Sequence, residues 1–171
     1  MQQVFVTADT HFGHENILKY EHRPFKNVRD MDKKLIANWN SVVKKNDIIY
    51  ILGDFSFYNK ANTEKIVKQL HGRKILIMGN HDRDRSVLWW SSVGIDEVYR
   101  HPIVYDNYTI MSHEPPEYYN DATPYVYLYG HVHKSEMYKT CTKQTACVCT
   151  ERWGFQPVLL SKIYEMIIAA R

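Results

Sequence analysis

Seven side chains of the kinds that bind metal ions occur along the chain, each beside a turn-forming residue or at the end of a strand-like run. They supply carboxylate, imidazole and carboxamide groups: Asp9, His11, Asp54, Asn80, His113, His131 and His133. This mixture of oxygen and nitrogen donors suits borderline-hard divalent cations. Because the donors are spread over most of the chain, they predict a metal site that the fold must assemble.

The densest of these segments is Gly130-His131-Val132-His133. Two histidines that are two positions apart reach one site when the loop is turned or locally extended toward the metal, and Val132 then points the other way into an apolar layer. A second dense segment, residues 79–82, places His81 and Asp82 directly after the candidate ligand Asn80.

Three short apolar runs in the first half predict buried strands, over residues 3–8, 48–52 and 74–78. Each run ends at a polar motif that carries candidate ligands. Ligands of α/β sheets bind at the carboxyl ends of the strands, so we expect these motifs to share one rim.

Helical spacing of apolar residues separates the three strands. Asp30 is the predicted N-cap of the first helix, and Asn62 or Thr63 begins the second, which ends before Gly72. A third helix is predicted over residues 83–92. The pattern therefore begins as β-α-β-α-β.

In the second half the sequence pattern changes from long helical segments to short strand-like pieces joined by polar or proline-containing loops. The predicted strands lie around Val98 and over residues 103–105, 108–111, 125–129 and 146–149, and a last helix over 162–170 has Ser161 as its N-cap. Helix-linked strands followed by a hairpin-rich half predict two packed sheets with helices outside.

Length and composition predict one globular domain over residues 1–171, with 44% hydrophobic and 24% charged residues. The formal charge of +3 is too small to indicate nucleic-acid binding. No membrane-length apolar run or signal peptide is visible, and the odd cysteine count favours a reducing cytoplasm. The sequence carries no signal for oligomeric state.

Cys141, Cys147 and Cys149 have two interpretations. Their spacing matches no recognised zinc motif, so we favour small apolar residues in a terminal strand over a metal site. The tyrosines between 118 and 129 and the pair Trp89-Trp90 are interpreted as core or rim residues rather than a stacking surface for a nucleobase.

The ordered motifs resemble those of the calcineurin-like metallophosphoesterases. That family has D-x-H, then G-D, then G-N-H-D or G-N-H-E, a lone histidine and G-H-x-H, and all five blocks occur here in this order. The opening Asp-Thr-His-Phe-Gly-His-Glu-Asn-Ile, with Arg23-Pro24-Phe25 and Trp39-Asn40, is similar to a small uncapped bacterial and phage branch.

The resemblance implies an α/β fold of the α+β type, a four-layer αββα sandwich with two mixed β-sheets flanked by helices. It also implies two divalent metal ions. Mn is favoured, and Fe, Zn, Ni and Co are also compatible with the donors. Transferred by motif position, the first metal takes Asp9, His11 and His133, the second takes Asn80, His113 and His131, and Asp54 bridges them.

The implied reaction is hydrolysis of a small soluble phosphodiester or phosphomonoester, nucleotides included, by in-line attack of a metal-bridging hydroxide. His81 then stabilises the phosphoryl group or protonates the leaving oxygen, and Asp82 orients the His81 ring. His14 and Arg23, near the first metal loop, are candidate contacts to substrate phosphate. A diester is favoured slightly over a monoester.

The chain departs from the commoner patterns of the family at two positions. Phe55 to Tyr58 lack the second acidic residue of the phosphoprotein phosphatases, and Glu114 follows His113 where glycine is frequent. Two alternatives remain open: a nuclease acting on polynucleotide, and a non-catalytic metal-binding scaffold with the same fold.

Overall fold

The computed structural model describes residues 1–120 and 122–171. Its first sheet has the strand order β4-β3-β2-β1-β9. The strands are β1 (Val4–Thr7), β2 (Ile48–Ile51), β3 (Arg73–Ile77), β4 (Glu97–Tyr99) and β9 (Val158–Leu159). Strands β1 to β4 are parallel, and β9 is antiparallel to β1. The three strands predicted in the first half are confirmed to within one residue at each end, and β9 was missed.

The second sheet has the order β5-β6-β7-β8. Its strands are β5 (Ile103–Val104), β6 (Thr109–Met111), β7 (Val126–Tyr129) and β8 (Thr145–Cys147). The expected hairpin-rich half is wrong: β5 and β6 are antiparallel, but β6, β7 and β8 run parallel. Long loops return the chain to the start of each parallel strand, and the strand-like pieces in the sequence gave no sign of this crossover.

The helices are α1 (Ile17–Tyr20), α2 (Val28–Val42), α3 (Lys60–Gln69), α4 (Val87–Ser92) and α5 (Leu160–Ala169). The predicted caps are wrong, because earlier residues accept the first free amides. Asn27 accepts the N–H of Asp30, Asn59 accepts the N–H of Asn62, and Ser86 caps an α4 that is shorter than the predicted 83–92. Helix α5 begins at Leu160, so Ser161 lies inside its first turn, and α1 was missed.

Alternation along the first sheet creates two apolar layers. Phe5 and Leu76 pack against α2, α3 and α4, whereas their neighbours Val6 and Ile77 face the second sheet. Trp39 of α2 is 1% exposed in the outer layer, and its indole N–H donates to the carbonyl of His71 at 3.0 Å. The expected pair of mixed sheets flanked by helices is confirmed.

Helix α5 packs against β1, β8 and β9, where its apolar face joins the layer between the sheets. On the far side of the second sheet, Tyr129 packs with Cys147, Cys149, Val132 and Tyr138. Cys147 and Cys149 are fully buried there, with their sulfurs 3.3 Å apart. This packing matches the apolar interpretation of the cysteines and the predicted inward direction of Val132.

No helix among the described residues is both long and apolar enough to cross a bilayer.

Candidate metal centre

The carboxyl ends of parallel strands from both sheets meet at one rim. A parallel bridge joins Ala8, after β1, to Cys149, after β8, and the N–H of Thr150 donates to the carbonyl of Ala8 at 3.0 Å. The ends of β2, β3, β6 and β7 lie beside them, because each of these strands is parallel to a neighbour in its own sheet. Residues that follow six different strands therefore reach one place.

Five candidate ligands have backbone in the left-handed region, which non-glycine residues rarely adopt. Their φ angles are 57° at Asp9, 52° at His11, 53° at Asp54, 68° at His131 and 45° at His133. Each such residue costs on the order of 1–3 kcal/mol and persists only where its surroundings hold it. Hydrogen bonds between the loops do so, from the N–H of His11 to the carbonyl of Asp54 and from the N–H of His131 to Asp9 Oδ2.

The first donor group surrounds Asp9. Asp9 Oδ1 lies 3.8 Å from His11 Nε2 and 3.8 Å from His133 Nε2, and His11 Nε2 lies 3.6 Å from Asp54 Oδ2. Among the described residues, neither Asp9 Oδ1 nor His11 Nε2 has a hydrogen-bond partner, although both atoms are buried. Buried polar atoms are rarely left unpaired, so this group fits a cation that all of them contact.

The second donor group surrounds His113. Its Nε2 lies 3.6 Å from Asp54 Oδ2, 2.9 Å from Asn80 Oδ1 and 3.1 Å from His131 Nδ1. Its Nδ1 lies 2.8 Å from the carbonyl of Leu52, which can only accept, so Nδ1 carries the proton and Nε2 presents a lone pair. A lone pair facing the carbonyl oxygen of Asn80 again fits a shared cation, and Asp54 Oδ2 belongs to both groups.

Two glycines allow the close packing of these loops. Gly53 has φ of +86°, and a Cβ there would collide with His113 Nδ1 and with the backbone of Gly79. A Cβ on Gly130 would lie 2.5 Å from Asp9 Oδ2 and 2.8 Å from the carbonyl of Leu52. Glycine is therefore required at both positions by the space that the donor groups occupy.

Charges within the centre shift several protonation equilibria. Although burial disfavours its charged form, the nearby imidazoles of His11, His113 and His133 hold the pKa of Asp9 well below its usual range. Burial lowers the pKa of His11 and lowers that of His14 to about 4. Partial burial opposes the charged form of His133 as well, but its hydrogen bond to Glu151 and the nearby Asp9 raise its pKa to about 9.

Arg23, expected to contact substrate phosphate, is instead buried behind the first donor group. Its side chain is 0% exposed, with its guanidinium donating to the carbonyls of Asp9 and Thr10 and to Glu151 Oε1. The expected substrate contact is wrong, because the guanidinium is buried and its N–H groups donate to partners inside the protein. Arg23 holds the backbone of the loop that carries Asp9.

Glu151 was missed by the sequence analysis. Its Oε1 accepts from Arg23 at 2.6 Å and lies 2.9 Å from His133 Nδ1, so His133 carries its proton on Nδ1 and directs Nε2 toward Asp9. Glu21 also lies within metal-donor distance of His133 and Glu151, but Arg23 already compensates the charge of Glu151. The available signal was that Glu151 follows a strand, as the other donors do.

The sequence predicted that Asp82 orients the ring of His81, but the carboxylate of Asp82 binds backbone N–H groups instead. Its Oδ2 accepts from the N–H groups of Asp54 and Gly79 at 2.7 and 2.9 Å, and its Oδ1 accepts from Phe55 at 3.1 Å. Burial and the nearby Asp54 raise its pKa to about 7, whereas the three amide donors favour its charged form. Asp82 thus ties the loop after β2 to the loop after β3.

His81 and His14 line a cavity of about 300 Å³ above the donor groups, together with Tyr20, Glu21 and Phe57. The His81 side chain is 48% exposed, and its Nε2 lies 4.0 Å from Asp54 Oδ2. The N–H of His81 donates to Asp54 Oδ1 at 3.0 Å, which fixes its backbone beside the shared carboxylate. His14 Nδ1 lies 3.1 Å from His11 Nδ1, so His14 contacts a proposed ligand while also facing the cavity.

A family model described as calcineurin-like phosphoesterase matches residues 3–140, a span that includes all seven candidate ligands. The chain belongs to this family. With the carboxylate and histidine clusters at its rim, it is a metal-dependent phosphoesterase.

Relatives and a solved structure agree with this membership. An uncharacterized protein of Methanocaldococcus jannaschii is 34% identical over an alignment of 174 positions, which covers 98% of this chain and 92% of that protein. The Gene 66 protein of Mycobacterium phage L5 is 35% identical over 85 residues, 48% of this chain and 41% of its own length. A crystal structure of a protein of unknown function from Aquifex aeolicus superimposes with a TM-score of 0.72 at 26% identity, covering 98% of this chain and 100% of that one. The phage relative fits the expected small phage-type branch.

Proposed function

We propose that this protein, as one catalytic domain over residues 1–171, hydrolyses a small phosphodiester with the help of two divalent cations. The observation that carries the proposal is the position of Asp54, whose Oδ2 lies 3.6 Å from His11 Nε2 and 3.6 Å from His113 Nε2. A carboxylate shared between two donor groups is what a two-metal site requires.

We assign Asp9, His11 and His133 to the first ion and Asn80, His113 and His131 to the second, with Asp54 bridging. The distances within each group and the unpaired Asp9 Oδ1 and His11 Nε2 support this assignment. When bound, the two ions supply Lewis acidity to the phosphoryl oxygens and lower the pKa of a water molecule between them. We propose Mn as the ion, and the donor set of imidazole, carboxylate and amide oxygen without thiolate is also compatible with Fe, Zn, Ni and Co.

His81 is proposed as the group that acts on the ester itself. It borders the cavity next to the bridging carboxylate and stands outside both donor groups. Its imidazole stabilises the negative charge of the phosphoryl group or delivers a proton to the leaving oxygen. Asp82 contributes by fixing the backbone on either side of Asp54.

The charge of the cavity favours a diester over a monoester. Among the described residues that line it, none is Lys or Arg, and Glu21 adds a carboxylate. A monoester carries up to two negative charges near neutral pH, and proteins usually bind such a group with Arg or Lys. A diester carries one, which the metal ions balance. The volume of about 300 Å³ also suits a small ester.

The proposal is tested with purified protein loaded in turn with Mn, Fe, Zn, Ni and Co, and assayed on bis(p-nitrophenyl) phosphate, p-nitrophenyl phosphate, cyclic nucleotides and single-stranded polynucleotide. We expect the diester to be hydrolysed with the higher kcat/KM. His81→Ala should lower kcat by on the order of 100-fold or more while both metals stay bound, whereas Asp54→Ala should lose metal.

The control is His101→Ala, an exposed histidine between β4 and β5. Activity of His81→Ala equal to that of the wild type would refute the role of His81. A higher kcat/KM for the monoester would refute the diester assignment, and preferential cleavage of polynucleotide would replace it with a nuclease. Bound metal without metal-stimulated turnover would indicate the non-catalytic metal-binding scaffold.

A further inference from the structure

One side of the cavity is apolar, although the other side consists of the donor groups. Ile17, Tyr20 and Phe57 form this apolar side, which we call the aromatic wall. Ile17 is 3% exposed and anchors α1 in the core, so the wall has a fixed base. The cavity therefore presents metal ligands to one part of a substrate and hydrocarbon to another.

Phe57 is held in place by the histidines around it. Its ring stacks on His14 with centroids 3.9 Å apart and planes 14° apart, and lies 5.1 Å from the ring of His11 at 19°. It also lies 5.0 Å from the ring of His81. These contacts fix an aromatic surface beside the residue that we propose to protonate the leaving oxygen.

Tyr20 extends the wall outward from the end of α1. Its side chain is 67% exposed, and its ring meets that of His14 edge to face at 6.3 Å. Large exposed aromatic residues at the mouth of a cavity mark ligand-binding surfaces more often than those scattered singly over a protein. Tyr20 and Phe57 both adjoin His14, which connects them along this side of the cavity.

We propose that the aromatic wall binds an uncharged planar aromatic ring in the leaving group of the diester, such as the base of a nucleoside. This inference rests on the proposed function, because the proton donor His81 identifies the side on which the leaving oxygen lies. The carboxylate of Glu21, also at the cavity, disfavours a leaving group that carries further phosphates. Aromatic rings bind such walls by stacking, which tolerates different bases.

The test measures inhibition of diester hydrolysis by two esters that differ only in the ring, phenyl methylphosphonate and methyl methylphosphonate, each with one negative charge. The variants are Tyr20→Ala, Tyr20→Phe and Phe57→Leu, and the control is Tyr118→Ala, a tyrosine that is 90% exposed outside this cavity. The metal content and the methyl ester's inhibition constant are measured for each.

For the wild type, we expect the phenyl ester to bind about ten-fold more tightly than the methyl ester. Tyr20→Ala and Phe57→Leu should weaken phenyl binding by about three- to ten-fold without changing methyl binding or metal content, and Tyr20→Phe should retain most of the preference. A wild type that hydrolyses diesters but shows no phenyl preference, or variants that keep it, would overturn the inference alone. A wild type that hydrolyses no diester would overturn the proposed function. In that case, calorimetric titration with the two esters still tests the aromatic wall, because it measures the phenyl preference without turnover.

Discussion

Replacing Glu151 tests whether the first donor group depends on a residue that binds no metal itself. Glu151 Oε1 lies 2.6 Å from the Arg23 guanidinium and 2.9 Å from His133 Nδ1. In Glu151→Ala, the ring of His133 loses the acceptor that fixes its proton on Nδ1, and Arg23 loses its only carboxylate partner among the described contacts. The variant should therefore weaken the first metal site and destabilise the fold.

The expected magnitudes follow from burial. Breaking a buried ion pair costs about 3–5 kcal/mol, and we expect the lower end, about 3 kcal/mol, because Arg23 keeps the carbonyls of Asp9 and Thr10. For a chain of this length, that corresponds to a fall in Tm of about 6–12 °C. Removing the partner of a metal-binding histidine lowers metal affinity by about 10- to 100-fold. Glu151→Gln keeps an oxygen acceptor, so its effects should be smaller.

The assay is calorimetric titration of metal-free protein with Mn²⁺ or Zn²⁺, together with thermal unfolding in the presence of a chelator. One site should weaken, and the second should not, since His113 is oriented by the carbonyl of Leu52 instead. Glu165→Ala, an exposed glutamate on α5, is the control. If Glu151→Ala binds two ions with wild-type affinity, Glu151 does not orient a metal ligand, and the assignment of His133 to the first ion fails with it.

Three further predictions concern the loops and the metals. Gly53→Ala should cost about 3–5 kcal/mol of unfolding free energy and abolish turnover, because the new Cβ would collide with His113. The control Gly154→Ala, with φ of +63° and open space around it, should cost about 1 kcal/mol. Equal costs for the two variants in chemical denaturation would contradict the packing argument. Asp82→Asn should lower the unfolding free energy by about 1–3 kcal/mol, because an amide cannot accept all three backbone N–H groups. A variant with unchanged stability and only a shifted pH–rate profile would instead support the expectation that Asp82 orients the His81 ring. Adding metal at about 100 times its Kd should stabilise the chelator-treated protein by about 2.7 kcal/mol per site, and a Tm that is independent of metal concentration would show that the donor groups bind no ion.

Much of the fold followed from local patterns. The buried strands that precede Asp9, Gly53 and Gly79 were predicted because a short, continuous run of β-branched apolar residues is typical of a buried parallel strand. Helix starts failed by three residues at α2 and α3, since Asn27 and Asp30, or Asn59 and Asn62, are chemically equivalent candidates for a cap. The parallel pairing of β6, β7 and β8 was missed because alternating strands read the same in either direction.

The sequence by itself determined which groups are available for chemistry and in what order they occur, because side-chain type sets which donors can bind a cation. The tertiary structure decided which residues support those donors. Arg23 and Glu151 are 128 positions apart, and they pair because the ends of β1 and β8 meet through the bridge between Ala8 and Cys149. An arginine near a metal loop has the same local sequence whether its guanidinium faces a substrate or a buried carboxylate. Burial and the position of the partner separate the two roles, and both depend on the packing of the two sheets.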